Sequence, residues 1–195
     1  MAKFFGNLHL VLLTGLVLAI AVMYHFAGSA PVDSNAVLRW LHVFFAIVWI
    51  GLLYYLNFVQ VPTMPKIPAE LKGGVTGYIA PKVLFFFRWG ALLTVITGLG
   101  VAGHGHGDQP GYLVQALTFS GQGNVNLIGL GMWLALIMAF NVWFIIWPAQ
   151  KKILGLVEAT PEQKAAAAPR ALYASRTNVL LSLPMLYCMV SANLG

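Results

Sequence analysis

The stretch VLRWLHVFFAIVWIGLLYYLNFVQ, residues 37–60, carries one charge, Arg39, at its start. The amides Asn57 and Gln60 stand only at its end. About 20 apolar residues in a helix cross the hydrocarbon core of a bilayer. Lipid supplies no hydrogen-bond partners, so a spanning segment must satisfy its own backbone, as a helix does. The apolar residues run continuously and do not alternate, which makes this run a transmembrane helix. The chain is therefore of the all-α membrane class.

Four more apolar runs flank it, at about 8–27, 83–103, 125–147 and 175–193. The sequence thus predicts one membrane domain over residues 1–195, a bundle of five transmembrane helices. Pro184 lies inside the last run and predicts a kink there. The first run has a second reading as a signal peptide, with Lys3 as its basic start and Gly28 and Ala30 near a cleavage point. Its length of about 20 residues exceeds the usual 7–15 of a signal core and favours a retained anchor.

Composition agrees with this class. The chain is 59% hydrophobic and 8% charged, with a mean hydropathy of +0.81. A soluble domain carries about 25% charged residues. The net charge of +6 does not point to nucleic acid, because the basic residues border apolar runs and act as topology signals. The partner implied is the lipid bilayer. Cys188 is the single cysteine, so neither an internal disulfide nor a metal site built on paired cysteines is available.

Ten of the eleven basic residues fall on one side of the five-span arrangement. They are Lys3, then Lys66, Lys72, Lys82 and Arg88, then Lys151, Lys152, Lys164, Arg170 and Arg176; Arg39 alone is on the other side. The positive-inside rule places the N-terminus in the cytoplasm and the C-terminus outside. The expected location is a bacterial inner membrane. Trp40, Trp89 and Trp147 stand at span ends, as interfacial rings do.

The second loop holds Pro62, Pro65 and Pro68 and predicts an extended connector. In the fourth loop, Thr160-Pro161-Glu162-Gln163 reads as a helix start with a capping box. Pro169 is expected to end that helix after about two turns. Gly90, Thr94 and Gly98, and Gly131, Ala135 and Ala139, are small residues at helical spacing and signal close helix packing.

Four histidines gather at the opposite end from the lysines: His25, His42, His104 and His106. His9 is 16 residues from His25, about 24 Å along a helix, so these two cannot share a metal. An ionisable group in a membrane segment is costly and is a functional candidate. Imidazoles serve as axial ligands of haem iron and also suit copper. His42 is the leading candidate, with His25 or His104 as a second ligand. His104-Gly105-His106-Gly107-Asp108 looks like a small metal-binding loop, but two histidines and one aspartate are not a site on their own, and a plain polar loop is the favoured reading.

A polar patch lies toward the basic end: Asn57, Gln60, Arg88, Asn141, Arg176 and Asn178. Interhelical hydrogen bonds are the usual use of such amides. The alternative is a pocket for a small anionic or quinone-like ligand. No carboxylate falls inside a span, which argues against a carboxylate proton relay.

Arg39-Trp40-Leu41-His42-Val43, continuing through Ile47-Val48-Trp49-Ile50-Gly51, resembles the opening of the membrane domain of the cytochrome c-coupled bacterial urate oxidases (urate hydroxylases). Phe140-Asn141-Val142-Trp143, Trp147-Pro148-Ala149-Gln150-Lys151-Lys152, Ser175-Arg176-Thr177-Asn178 and Leu183-Pro184-Met185-Leu186 are similar to later parts of that domain. The resemblance spans residues 37–193. That family adds a cytochrome c domain, and no Cys-x-x-Cys-His occurs here. Leu41-His42 and the aromatic stretch after it also look like the first helix of membrane haem-binding protoporphyrinogen oxidases and of copper-resistance membrane proteins. In the haem-binding relatives the matching histidine is a haem ligand, which the resemblance extends to His42.

These residues support three expected functions. The first is a b-type haem protein that transfers electrons with a membrane or periplasmic partner, such as a cytochrome c. Trp49, Tyr54 and Phe44 would shape its pocket, and purine oxidation falls within this reading. The second is a cofactor-free accessory subunit of a larger membrane complex. The third is copper handling by His104, His106 and His25.

Overall fold

The computed structural model describes residues 2–105 and 110–194, with side chains to Ala192. His106 and Asp108 lie outside the described residues. Among the described residues all regular structure is helical. After a single turn at Ala2–Phe5 come α1 (Leu8–Ala27), α2 (Ser34–Lys66), α3 (Ala69–His104), α4 (Leu113–Leu117), α5 (Asn124–Ile153) and α6 (Pro161–Leu194). Helices α1, α2, α3 and α5 are long and apolar enough to cross a membrane.

Helix α6 has 34 residues but is less apolar than those four. Its first half carries Glu162, Gln163, Lys164, Arg170 and Arg176, which lower its mean. Asn178 and Ser182 stand on its buried face.

The second connector differs from its expectation. Helix continues through Pro62 to Thr63, and a 3-10 turn carries the chain on to Lys66. Pro62 comes just after a π turn at Tyr55–Gln60, and Pro65 stands in the 3-10 turn, so both fall where the regular α ladder is already interrupted. Only Ile67 and Pro68 separate α2 from α3, with extended backbone at both.

The fourth connector differs too. The capping box forms as read: Thr160 Oγ1 accepts from the Gln163 amide at 3.3 Å, and Gln163 Oε1 accepts from the Thr160 amide at 3.1 Å. Pro169, however, does not end the helix, which continues to Leu194. Proline frees the carbonyl four residues back. That residue, Ala165, is exposed, so the carbonyl has access to solvent. The small faces of Ala167 and Ala171 meanwhile pack on Ala149 of α5 and favour an unbroken helix.

Three π turns interrupt the long helices, at Tyr55–Gln60, Val75–Ile79 and Asn141–Ile146. Each adds a residue to a turn and re-aims the helix beyond it.

Antiparallel α2 and α3 pack closely, and α6 packs along α5 and crosses α2. The core is Trp49, Leu53, Phe87, Met138, Val142 and Met185 with their neighbours. The small residues work as expected. A Cβ at Gly90 would lie 3.3 Å from the Trp49 amide nitrogen, so the two backbones nearly touch.

Helix α1 is the exception. None of its residues is buried. It is apolar on every side, which suits lipid, and it takes no part in the core clusters.

Candidate functional site

His42 sits on α2 where it faces α3. Its Nδ1 donates to the Thr94 carbonyl at 2.9 Å, with Thr97 Oγ1 at 3.5 Å. Thr94 and Thr97 spend their own hydroxyl protons on carbonyls one turn back, Gly90 and Leu93. A carbonyl accepts only, so Nδ1 carries the proton and Nε2 holds the lone pair. This is the tautomer of a metal-ligating imidazole, whose other N–H is held by a carbonyl or carboxylate. The ring has room because residue 98 is glycine: a Cβ there would lie 2.7 Å from His42 Cε1.

The other histidines are not brought to it. His104 Nε2 shares a hydrogen bond with Ser34 Oγ at the first turn of α2. Ser34 is eight residues from His42, about 12 Å along the helix. His25 is exposed on α1, edge-on to Phe26 at 5.1 Å. His106 lies outside the described residues. Among the described residues no three metal-ligating side chains cluster.

Sequence reasoning did not anticipate Asn35. It is buried, donates to the Val101 and Gly105 carbonyls, and accepts from Arg39 at 3.3 Å. It thereby closes the end of α3 beside His104. One signal was present: Asp33 before Ser34-Asn35 is an N-cap, and its carboxylate accepts from the Asn35 amide at 3.0 Å. Nearby Tyr112 is half-buried and donates its amide to Ala102 O at 2.8 Å. Burial pushes its phenol up, against the opposing pull of the Arg39 charge.

The polar patch is partly assembled. Asn57 Nδ2 donates to Leu53 O at 2.9 Å and to Ser175 Oγ at 2.8 Å. Asn141 Nδ2 donates to Asn178 Oδ1 at 2.9 Å, and Asn178 Nδ2 donates to Met138 O at 3.0 Å. Tyr54 and Ser182 hydroxyls pair at 2.9 Å. Asn57 and Asn141 both ride on π turns, and Ser175, Asn178 and Ser182 share one face of α6.

The arginines stand apart from these amides. Arg176 is exposed, and Arg88 stacks on Trp147. Among the described residues, Asn57 Oδ1 and Gln60 Oε1 are buried acceptors without a donor. Two such acceptors call for a hydrogen-bond donor, which the hydroxyl of a reduced, quinol-like ligand carries and a bare anion does not. What the patch does is join α2, α5 and α6.

A cleft of about 570 Å³ opens beside it, with Asn141, Arg170, Tyr173 and Thr177 in its walls. At the histidine end, a groove of about 430 Å³ runs past Asn35, Arg39, Trp40 and Val43.

Comparison with known proteins yields one likeness. Residues 111–195 match the family described as urate oxidase N-terminal. That stretch holds the blocks beginning at Phe140, Trp147 and Ser175, whereas the block around His42 lies before it. No curated protein and no solved structure matches the chain. Over its last 85 residues, under half its length, this membrane protein is similar to the urate oxidase N-terminal family.

Proposed function

We propose that this chain is the membrane module of a redox system, holding a b-type haem at its histidine-bearing end through His42 and exchanging electrons with a separate protein. The observation that carries this reading is the bond from His42 Nδ1 to the Thr94 carbonyl. It leaves Nε2 as a lone-pair donor, the chemistry that one axial position on iron requires. Bound haem would supply one-electron exchange between ferric and ferrous iron.

The chain's own residues do the positioning. Thr94 sets the tautomer, and Gly98 admits the ring. The fit extends to one axial ligand: His104 is engaged by Ser34, and His25 rides on the unpacked α1. The likeness to a urate oxidase domain supports a redox setting and purine oxidation as the process served. The partner in this reading is a cytochrome c or a larger membrane complex.

The membrane arrangement in this reading has α6 as a fifth span, the N-terminus in the cytoplasm and the C-terminus outside a bacterial inner membrane. Its support is the gathering of lysines at one end of the bundle.

A reduced-minus-oxidised spectrum of the detergent-purified chain, beside His42→Ala, tests the haem. The expected result is a sharp α band and a Soret shift, lost or altered in the variant. A flat spectrum with haem supplied during expression overturns the reading.

A second reading rests on α1, whose residues are all unburied: a cofactor-free accessory subunit docked in a larger complex. A colourless chain that co-purifies stoichiometrically with such a complex would select it. Copper held by His104, His106 and His25 is a third, which metal analysis separates from haem.

A further inference from the structure

Two cations converge on one indole at the basic end of the bundle. Trp147 comes directly after the π turn Asn141–Ile146. The Arg88 guanidinium lies over its ring at 3.9 Å from the centroid, and Lys151 Nζ lies at 5.8 Å. The two charges are therefore within about 10 Å of each other, roughly a Debye length at ordinary salt. Neither is paired with a carboxylate among the described residues, and Glu158 and Glu162 are exposed to solvent.

The surroundings hold this pair in place. Trp143 Nε1 donates to the Arg88 carbonyl at 3.0 Å, which ties α3 to the π turn of α5. Trp89 meets Trp143 edge-on at 5.5 Å. Stacking on Trp147, with the Phe85 ring at 5.4 Å, covers the faces of the guanidinium and leaves its in-plane N–H groups free to grip oxygens. Those donors match a phosphate, and the lysine adds a point charge.

Position decides the source of the phosphate. Trp147 stands 23 residues after Asn124, about 35 Å along α5. That is just beyond the roughly 30 Å hydrocarbon core, at headgroup level. Phe85 on α3 and Phe144 on α5 are exposed about one turn before Arg88 and Trp147 on the same faces, where acyl chains run. We propose that Arg88, Lys151 and Trp147 form a binding site for the phosphate of an acidic phospholipid. The site is independent of the haem reading.

The test uses the full chain in nanodiscs of phosphatidylcholine, titrated with brominated phosphatidylglycerol, with quenching of tryptophan emission as readout. The wild type is expected to show a saturable preference for the anionic lipid. Removing a cation near a lipid surface costs about fivefold in affinity, so Arg88→Gln/Lys151→Gln should lose about 25-fold. Lys66→Gln/Lys164→Gln removes the same charge from exposed positions at the same end and should keep the preference. Circular dichroism and thermal melting establish that both variants are folded, and Lys151→Gln alone supplies a milder change. Equal loss in the two double variants, or no saturable phase in the wild type, overturns the site. Competition by millimolar inorganic phosphate overturns the assignment to lipid.

Discussion

The imidazole Nδ1 of His42 lies 2.9 Å from the carbonyl oxygen of Thr94 on the neighbouring helix. Helix carbonyls are ordinarily spent on their own ladder. A threonine hydroxyl bonding back one turn, as both Thr94 and Thr97 do, bends a helix slightly and turns carbonyls outward. The ring is thus held by the backbone of α3, and a substitution at Thr94 leaves its carbonyl acceptor present.

Gly98→Ala is the sharper probe of this arrangement. The added methyl would meet the ring at Cε1, and overpacking of this kind costs about 1–3 kcal/mol. The expected outcome is a lower Tm and a shift of the His42 ring resonances in ¹⁵N NMR. Both are readable without any cofactor. Unchanged resonances would show that the ring does not lie against residue 98.

The Asn141–Asn178 bond joins α5 to α6 in the buried seam. Asn178→Ala strands Asn141 Nδ2 and should cost about 1–3 kcal/mol. Asn141→Leu with Asn178→Leu should cost less than the two single changes together, with a coupling of about 0.6–1.7 kcal/mol. Additive effects in denaturant titrations would mean that the two amides do not bond.

Helix α1 contributes no buried residue, so its removal should leave the bundle intact. A chain beginning at residue 31 is expected to keep the Tm of the full chain within about 1 °C, since surface changes alter stability little. A fall of many degrees would show that α1 packs on the core.

Glu162 offers a pH test outside the membrane. The Thr160 side chain, then its own backbone amide, hold its carboxyl below the usual carboxylate range. A depressed folded pKa stabilises the helix start above the ordinary carboxylate pKa, and this is lost as pH falls through the lowered value. Thr160→Ala should raise the Glu162 pKa toward normal in ¹³C NMR titration. An unmoved titration curve would refute the bond.

Much of this molecule is legible in its sequence. Long apolar runs have one solution in lipid, so helices at 8–27, 37–60, 83–103 and 125–147 arise from hydrogen-bond satisfaction alone. Capping at Thr160 and the close approach at Gly90 are likewise local in cause. The paths through Pro62 and Pro169 are not, because they depend on which turn holds the proline and on what Ala167 and Ala171 meet. The π turns are equally invisible in sequence, yet they aim Asn57, Asn141 and Trp147.

Sequence by itself determined the class of this protein and the sorting of lysines from histidines along its helices. Only the tertiary structure decided which groups meet. It turned the His42 ring onto Thr94, gave His104 to Ser34, and set Arg88 on Trp147 and apart from the amides. The reason is physical: hydropathy and spacing fix depth and face along one helix. The rotation and offset of neighbouring helices come from side chains fitting together, which no single segment contains.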